Sequence, residues 1–438
     1  MKSIWQKEVT MPEFPVLQGE IETEVLIIGG GIAGILTAYF LKQEGVDCVL
    51  VEKDRICSKT TGHTTAKITL QHGLIYDKLL STFGRERTWK YLQANRQAIA
   101  QYEKLCEKVD CDFERKDNFV YSRDDKGKLE REMEAFRRLG YDARLCDTPK
   151  LPMETVGAVC CTRQAQFQPL KFLSFIVKDL KIYEQTFVRE MIGNTAVTEK
   201  GKVKADKVVV ATHFPFINKH GSYFLKMYQD RSYVLALAQS GEEKVKLQVD
   251  GMYVDEDKKG MSFRNYGEIL LLGGGSHRTG KKGGNWEEIR QFANNHYPSA
   301  KEICAWAAQD CMTLDDVPYI GKYSKRTKEL YVATGFNKWG MTGSMISAKL
   351  LCDMVTGKEN DFQDVFSPSR SMLRPQLLLN TFEATKNLLT ITPKRCPHLG
   401  CALKWNPAEQ TWDCACHGSR FSKEGKVLDN PANGDLSL

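Results

Sequence analysis

Three glycines at positions 29, 31 and 34 constrain this chain more than any other feature. They stand in GGGIAG, between an apolar, β-branched run at 24–28 (EVLII) and a stretch with helical spacing, ILTAYFLKQEG. A second strand pattern, VDCVLVEKD, follows. Together these predict a β-turn-α-β unit of about 30 residues. Gly29 permits the tight turn, Gly31 lets the backbone approach a pyrophosphate, and Gly34 lets the helix pack close to the strand. The helix N-terminus then offers unpaired N–H groups and its positive dipole end to the phosphates. Glu52 ends the second strand, 21 residues after Gly31, placed to accept a hydrogen bond from a ribose hydroxyl. Strand, turn, helix and acidic residue agree, so the unit predicts a dinucleotide site.

The other glycine cluster after a strand pattern is GGGSHRTG at 273–280. Its third fingerprint position is Arg278 and no β-α-β unit follows, so it reads as a turn. One fingerprint near the N-terminus points to a permanently held FAD. No cysteine or histidine is marked for covalent attachment, so the FAD is expected to be non-covalent.

Fourteen cysteines divide unevenly. Ten are scattered over the first 352 residues without CxxC pairing and read as free, mostly buried thiols. The other four fall within 21 residues near the C-terminus, in CPHLGC (396–401) and CACHGS (414–419). Cys396-x-His398 and Cys414-x-x-His417 are separated by 15 residues. That asymmetric pair fits a Rieske [2Fe–2S] centre, in which one iron takes two thiolates and the other two imidazoles. Structural zinc is the competing reading, but zinc sites favour CxxC and HxxxH spacing over CxH.

Between these motifs the pattern predicts helices at 85–109, 127–139 and 170–182, and a strand at 204–213. A strand-rich stretch runs from 231 to 275 and includes VKLQVDGMYV (245–254). Residues 285–309 read as a helix interrupted at Pro298, 329–336 as a strand, and SMISAKLLCDMV as a helix. The expected class is α/β: a Rossmann-type FAD-binding domain, an interleaved mixed β-sheet substrate domain, and a small C-terminal β domain. Residues 1–365 would form the oxidoreductase part, with FAD segments at 22–80, 183–220 and 310–360 and substrate segments at 81–182 and 221–309. Residues 366–390 would be a linker and short helix, and 391–438 the cluster domain.

GGGIAG, Glu52, the TGHTTAK loop, ADKVVVATH and DDVPYIG…LYVATGFNKWGMT together resemble the D-amino-acid oxidase/glycine oxidase-like FAD-dependent oxidoreductases, the DAO superfamily, over residues 22–360. The resemblance implies that Lys53, Thr61, His63, Thr64, Thr65 and Lys67 lie along the flavin. Val188, Ala211 and Thr212 would join them from later strand ends. Gly335, Gly340, Met341 and Thr342 would place backbone N–H groups at the flavin pyrimidine edge, where they stabilise the anionic reduced form. Lys67, Arg264, Tyr266 and His277 are the substrate-side candidates, an arginine being able to clamp a carboxylate bidentately. The remaining His72, His213 and His220, and Trp339, have structural or packing roles as the simpler reading.

The cluster segment resembles the Rieske proteins of cytochrome bc complexes. That implies a Cys401–Cys416 disulfide tying the two cluster loops, and a Ser419 hydroxyl bonded to a bridging sulfide. Phe421 stands where high-potential members have a tyrosine, which implies a lower potential here. As a whole the chain resembles DAO-type oxidoreductases with a C-terminal Rieske domain.

Lys and Arg number 62 against 55 Asp and Glu, a net charge of +7 spread without a basic run, so no nucleic-acid partner is implied. No apolar stretch approaches the roughly 18 residues of a membrane span. The first residues, MKSIWQKEVTMPEF, do not look like a signal peptide, and a cytoplasmic protein is expected. The expected function is an FAD-dependent dehydrogenase that oxidises a small amine or amino acid and passes electrons through the cluster to an external carrier. The alternatives are a reductase with inward electron flow and a non-catalytic electron-transfer or redox-sensing protein.

Overall fold

Strand Gly19–Ile28 carries the first apolar run into the middle of a parallel sheet, flanked by Gly201–Val210 and Cys48–Val51. In a computed structural model, residues 1–436 are described except 148–149, 219, 240–246 and 284. Among these, eight strands form this first sheet. Its main path runs Tyr319–Lys322, Leu330–Thr334, Gly201–Val210, Gly19–Ile28, Cys48–Val51, Ile182–Tyr183. Helices Ile32–Gln43 and Gly340–Val355 pack beside it, so Leu26, Ile27 and Val209 are buried and the strands read as unbroken apolar runs rather than alternating ones.

A second sheet has nine strands among the described residues. Its longest pairings are made by Tyr228–Gln239, next to one edge, antiparallel on one side with Ile269–Arg278 and on the other with the edge strand Ala300–Met312. Helices Tyr76–Cys106 and Lys126–Leu139 accompany it, the first broken at Gly84 with φ +75°. Helix Pro375–Leu389 then leads into four short antiparallel strands between Leu403 and Asp429. One face of that helix stays uncovered, with Leu378, Leu379 and Phe382 exposed.

Several sequence expectations are corrected. The helix expected at 285–309 ends at His296, and Ala300–Met312 is a strand. Pro298 stops the helix, and pairing with Tyr228–Gln239 along its whole length decides the rest. Of the turn expected at 273–280, residues 273–278 instead continue strand Ile269–Arg278, and the turn is confined to Thr279 and Gly280. A Cβ on Gly273 would lie 2.6 Å from Ser262 Oγ, and one on Gly274 2.5 Å from Met261 Sδ, so these glycines admit close neighbours. The 170–182 helix is shorter, Pro169–Ile176. Of VKLQVDGMYV, residues 245–246 lie outside the described residues, and the strand is Met252–Asp255. Nine of the ten scattered cysteines are buried, Cys146 being half-buried.

The C-terminal β unit docks on the second sheet through charge. Glu409 accepts from Arg231 Nε at 2.8 Å, from Arg420 Nη2 at 2.8 Å and from Tyr233 Oη at 3.1 Å. Burial alone would raise the Glu409 carboxyl, but Arg231 and then Arg420 hold it down at about 2. Its contribution is therefore complete above the ordinary glutamate value of 4.5 and is lost as pH falls toward 2. Glu409→Gln is expected to cost about 3–5 kcal/mol at neutral pH, as for other broken buried pairs. The gap to wild type should close below pH 4.5, which thermal unfolding of both proteins across pH would check.

Candidate functional site

A large cavity of about 690 Å³ is lined by residues of both sheets. Gly29 and Gly31 form its floor at the N-terminus of helix Ile32–Gln43. Gly29 has φ +118°, and a Cβ there would sit 2.4 Å from Ala211 O. Gly34 does not reach the cavity; a Cβ on it would meet Gly29 O at 2.0 Å, which is the helix-against-strand approach expected of the third glycine. Gly31 caps the helix without a side chain of its own, and Thr61 Oγ1 from the following loop accepts from Ile32 N at 3.0 Å. Glu52 lines the wall beside Lys53. Its carboxylate is already aimed, taking Gly30 N at 2.7 Å and Asp54 N at 2.9 Å. Such a floor, with an oriented acid and glycines at the turn before the helix, fits a dinucleotide.

The loop after Glu52 also faces the cavity: Thr61, His63, Thr64, Thr65 and Lys67 all line it. So do Val188, Ala211, Thr212, Gly340 and Met341. Gly335 and Thr342 do not. Gly335 has φ +72° and its carbonyl accepts from Asn337 Nδ2 at 2.6 Å. Thr342 Oγ1 contacts His72 Nε2 at 3.0 Å and donates to Thr69 O. His72 lines the cavity, stacked on Trp339 with centroids 5.0 Å apart. His213 also lines it, and burial pushes its imidazole down to about 4. His220 is exposed and elsewhere.

The substrate-side expectations fare differently. Lys67 stands on the cavity wall, and burial, then Arg264, pull its ammonium down to about 7. Arg264 is not on the wall. It is wholly buried beneath the flavin loop, donating from Nη1 to Thr65 O at 2.7 Å and Ala66 O at 3.0 Å, over the Trp5 ring. Its Nη1 holds the loop from behind, and its Nη2 is buried without a partner among the described residues. Tyr266 is also displaced, its hydroxyl shared between Glu8 and Asp112 at 2.7 Å each. His277 stacks on Tyr233 with centroids 5.7 Å apart and likewise lies off the wall. Sequence position on a roof strand did not say which face each side chain takes.

The cluster residues converge. The His398 and His417 rings lie 4.9 Å apart and nearly perpendicular, at 87°. Both Nδ1 atoms are buried without a hydrogen-bond partner among the described residues. Burial pushes His398 down to about 4 and His417 to about 3, so both are neutral imidazoles, the form that ligates metal. The Cys396 and Cys414 thiols share a hydrogen bond, which pulls Cys396 down to about 7. The sulfurs of Cys401, Cys414 and Cys416 also cluster within 4.8 Å, but Cys401 and Cys416 are bonded to each other, leaving Cys414 as the ligand. Two thiols and two orphaned imidazole nitrogens fit a Rieske centre. Ser419, buried beside Cys396, accepts from Ala432 N at 3.0 Å.

The family model of FAD dependent oxidoreductases (DAO) matches residues 24–354, and that of the Rieske [2Fe-2S] domain matches residues 357–437. The chain belongs to the DAO family of FAD-dependent oxidoreductases. Its cofactors are FAD and a Rieske [2Fe–2S] cluster. It is 33% identical to the Rieske 2Fe-2S iron-sulfur protein YhfW of Bacillus subtilis, over 98% of this chain and 96% of the relative. Its fold is similar to that of glycine oxidase from Geobacillus kaustophilus, with a TM-score of 0.66, 19% identity, and coverage of 80% of this chain and 99% of that one. L-proline dehydrogenase from P. horikoshii is similar too, with a TM-score of 0.64, 18% identity, and coverage of 81% and 98%. No helix among the described residues is long and apolar enough to cross a membrane.

Residues the sequence did not flag join the two sites. Gln309 lines the cavity and donates from Nε2 to Gly418 O at 2.8 Å in the second cluster loop. Gln229 Nε2 donates to His417 O at 2.7 Å, and Phe214 faces the His417 ring at 6.2 Å. A glutamine within a strand carries no sequence signal for such a role. Gly29→Ala is expected to lower FAD content of the purified protein at least tenfold, because its Cβ would meet Ala211 O; flavin absorbance relative to protein would measure this. His417→Ala removes one orphaned nitrogen and should abolish the Rieske EPR signal.

Proposed function

We propose that the protein is a dehydrogenase of a small amine or amino-acid-like substrate, passing electrons outward from the cavity to the cluster and on to an external carrier. The observation that carries this reading is the short path of Gln309 and Gln229 between cavity and second cluster loop. When bound, FAD supplies a two-electron acceptor and the [2Fe–2S] centre a one-electron relay. Gly29, Gly31, Glu52 and the 61–67 loop would hold FAD, and Cys396, His398, Cys414 and His417 the cluster. Residues 1–365 and 391–438 would be the two domains, joined through 366–390.

The chain's own groups suit a C–N substrate. Lys67, on the flavin loop, faces the cavity without a carboxylate partner. With its value near 7, it is a neutral amine at slightly alkaline pH and can take the proton that an ammonium substrate must lose. Opposite charge sits on Asp310, which burial raises to about 6, with Lys338 opposing that shift. His417 is buried against Phe214 and Phe224, facing the flavoprotein sheets. His398 is half-exposed and held by Asn218 Oδ1 at 3.1 Å, which suits it to the outward side. The shared fold with glycine oxidase and L-proline dehydrogenase supports the substrate class. A fused one-electron centre supports a dehydrogenase over an oxidase that returns its electrons directly to oxygen.

Anaerobic mixing with a panel of amines and D- and L-amino acids tests this. Flavin bleaching followed by a reduced Rieske EPR signal is the expected result. A panel that never bleaches the flavin, together with flavin reduction by a chemically reduced cluster, would favour the opposite direction of flow. With a substrate in hand, turnover should rise as pH passes upward through about 7, and Lys67→Met should remove that limb and lower turnover about a hundredfold.

A further inference from the structure

The tail of the cluster domain forms part of the same wall as the dinucleotide floor. Leu428, Asp429, Asn430, Ala432 and Asn433 all line the cavity. They are not loosely placed there. Lys53 Nζ and Lys59 Nζ, from the stretch after the second nucleotide strand, both donate to Leu428 O at 3.2 Å. The Asn430 amide donates to Phe214 O at 2.7 Å and to Thr212 O, just beyond strand Gly201–Val210. Arg189 and Asn433 exchange hydrogen bonds, Nη1 to Asn433 O at 3.0 Å and Nδ2 to Arg189 O at 2.7 Å. The tail thus bridges three separate pieces of the FAD wall.

The same tail is tied to the cluster loops. Gln229 Nε2 donates to Asn430 O at 2.9 Å as well as to His417 O. Ala432 N donates to Ser419 Oγ, and Ser419 O accepts from Cys414 N at 2.9 Å. Arg420, next to Ser419, holds Asp429 Oδ2 at 3.1 Å. Two ligands of the cluster, His417 and Cys414, are therefore each one hydrogen-bonded residue away from the tail that walls the FAD cavity.

We infer that the C-terminal tail 428–433 is a shared wall, so that FAD and the [2Fe–2S] cluster bind cooperatively. Ordering the cluster loops sets the tail in place before FAD arrives, and bound FAD in turn buttresses the tail under the cluster. Such coupling is reciprocal by thermodynamic necessity. The consequence is an enzyme that keeps its flavin only while it can pass electrons on, whichever way they run. The inference rests on the reading that FAD occupies this cavity.

Full-length Asn430→Ala, which cuts the bonds to Thr212 and Phe214 but leaves every cluster ligand, is the direct test. FAD release on dilution is read by flavin fluorescence, and the Rieske EPR signal reports that the cluster loops remain folded. The expected result is FAD held about tenfold more weakly with the EPR signal retained, a typical coupling. The reverse measurement uses wild type alone: stripped of FAD, it should lose its visible cluster absorbance several-fold faster than the holoprotein. Gly29→Ala is the reference. If it loses FAD while Asn430→Ala holds FAD as wild type does, the shared wall is overturned and the cavity assignment stands. If both variants keep FAD, the cavity assignment fails and the inference falls with it. Equal cluster lifetimes with and without FAD would also overturn it.

Discussion

A single buried carboxylate, Glu409, holds the two cofactor regions against each other. Placed without partners at its depth it would cost several kcal/mol in desolvation. Arg420 from its own domain and Arg231 from the second sheet both meet it, so docking adds a second guanidinium to the buried charge. Arg420 also holds Asp413 at 3.2 Å and Asp429 at 3.1 Å. One guanidinium thereby ties the docking carboxylate to the cluster-domain sheet and to the tail over the cavity.

The strand that supplies Arg231 does more than anchor. Side chains two residues apart share a strand face, and Gln229, Arg231 and Tyr233 all point at the cluster domain, touching His417 O, Glu409 and Glu409 respectively. The neighbouring strand places Gln309 opposite Arg231, and that side chain reaches Gly418. Three glycine approaches complete the fit. Side-chain carbon on Gly29, Gly280 or Gly418 would lie within about 2.5 Å of Ala211, Ala415 or Gln229 atoms. The cavity and the cluster loops are close because backbones are allowed to touch.

Much of the site was legible because it is local in sequence. The Gly29–Gly34 turn, Glu52 and the Cys/His pairs each depend on spacings of a few residues, which fix direction along a strand, helix or loop. What misled was long-range. Arg264 has the chemistry of a carboxylate clamp, but its strand turns it toward the carbonyls of Thr65 and Ala66, where a buried guanidinium finds acceptors. Residues 300–309 carry a composition compatible with either helix or strand, and only the twelve-residue partner strand Tyr228–Gln239 decided between them.

By itself the sequence determined the chemistry available to this protein: a dinucleotide turn, a two-cysteine, two-histidine cluster set, and an α/β frame to carry them. These follow from backbone freedom at glycine and from ligand spacing, both of which are short-range. The tertiary structure decided how the parts are wired. Residues about 200 or more positions apart, Gln229 with Asn430, Asn430 with Thr212, and Lys53 with Leu428, meet only once the sheets have packed and the Arg231–Glu409 contact has closed. No local pattern encodes those meetings, because their energy comes from burying polar groups together rather than from any segment's own preference.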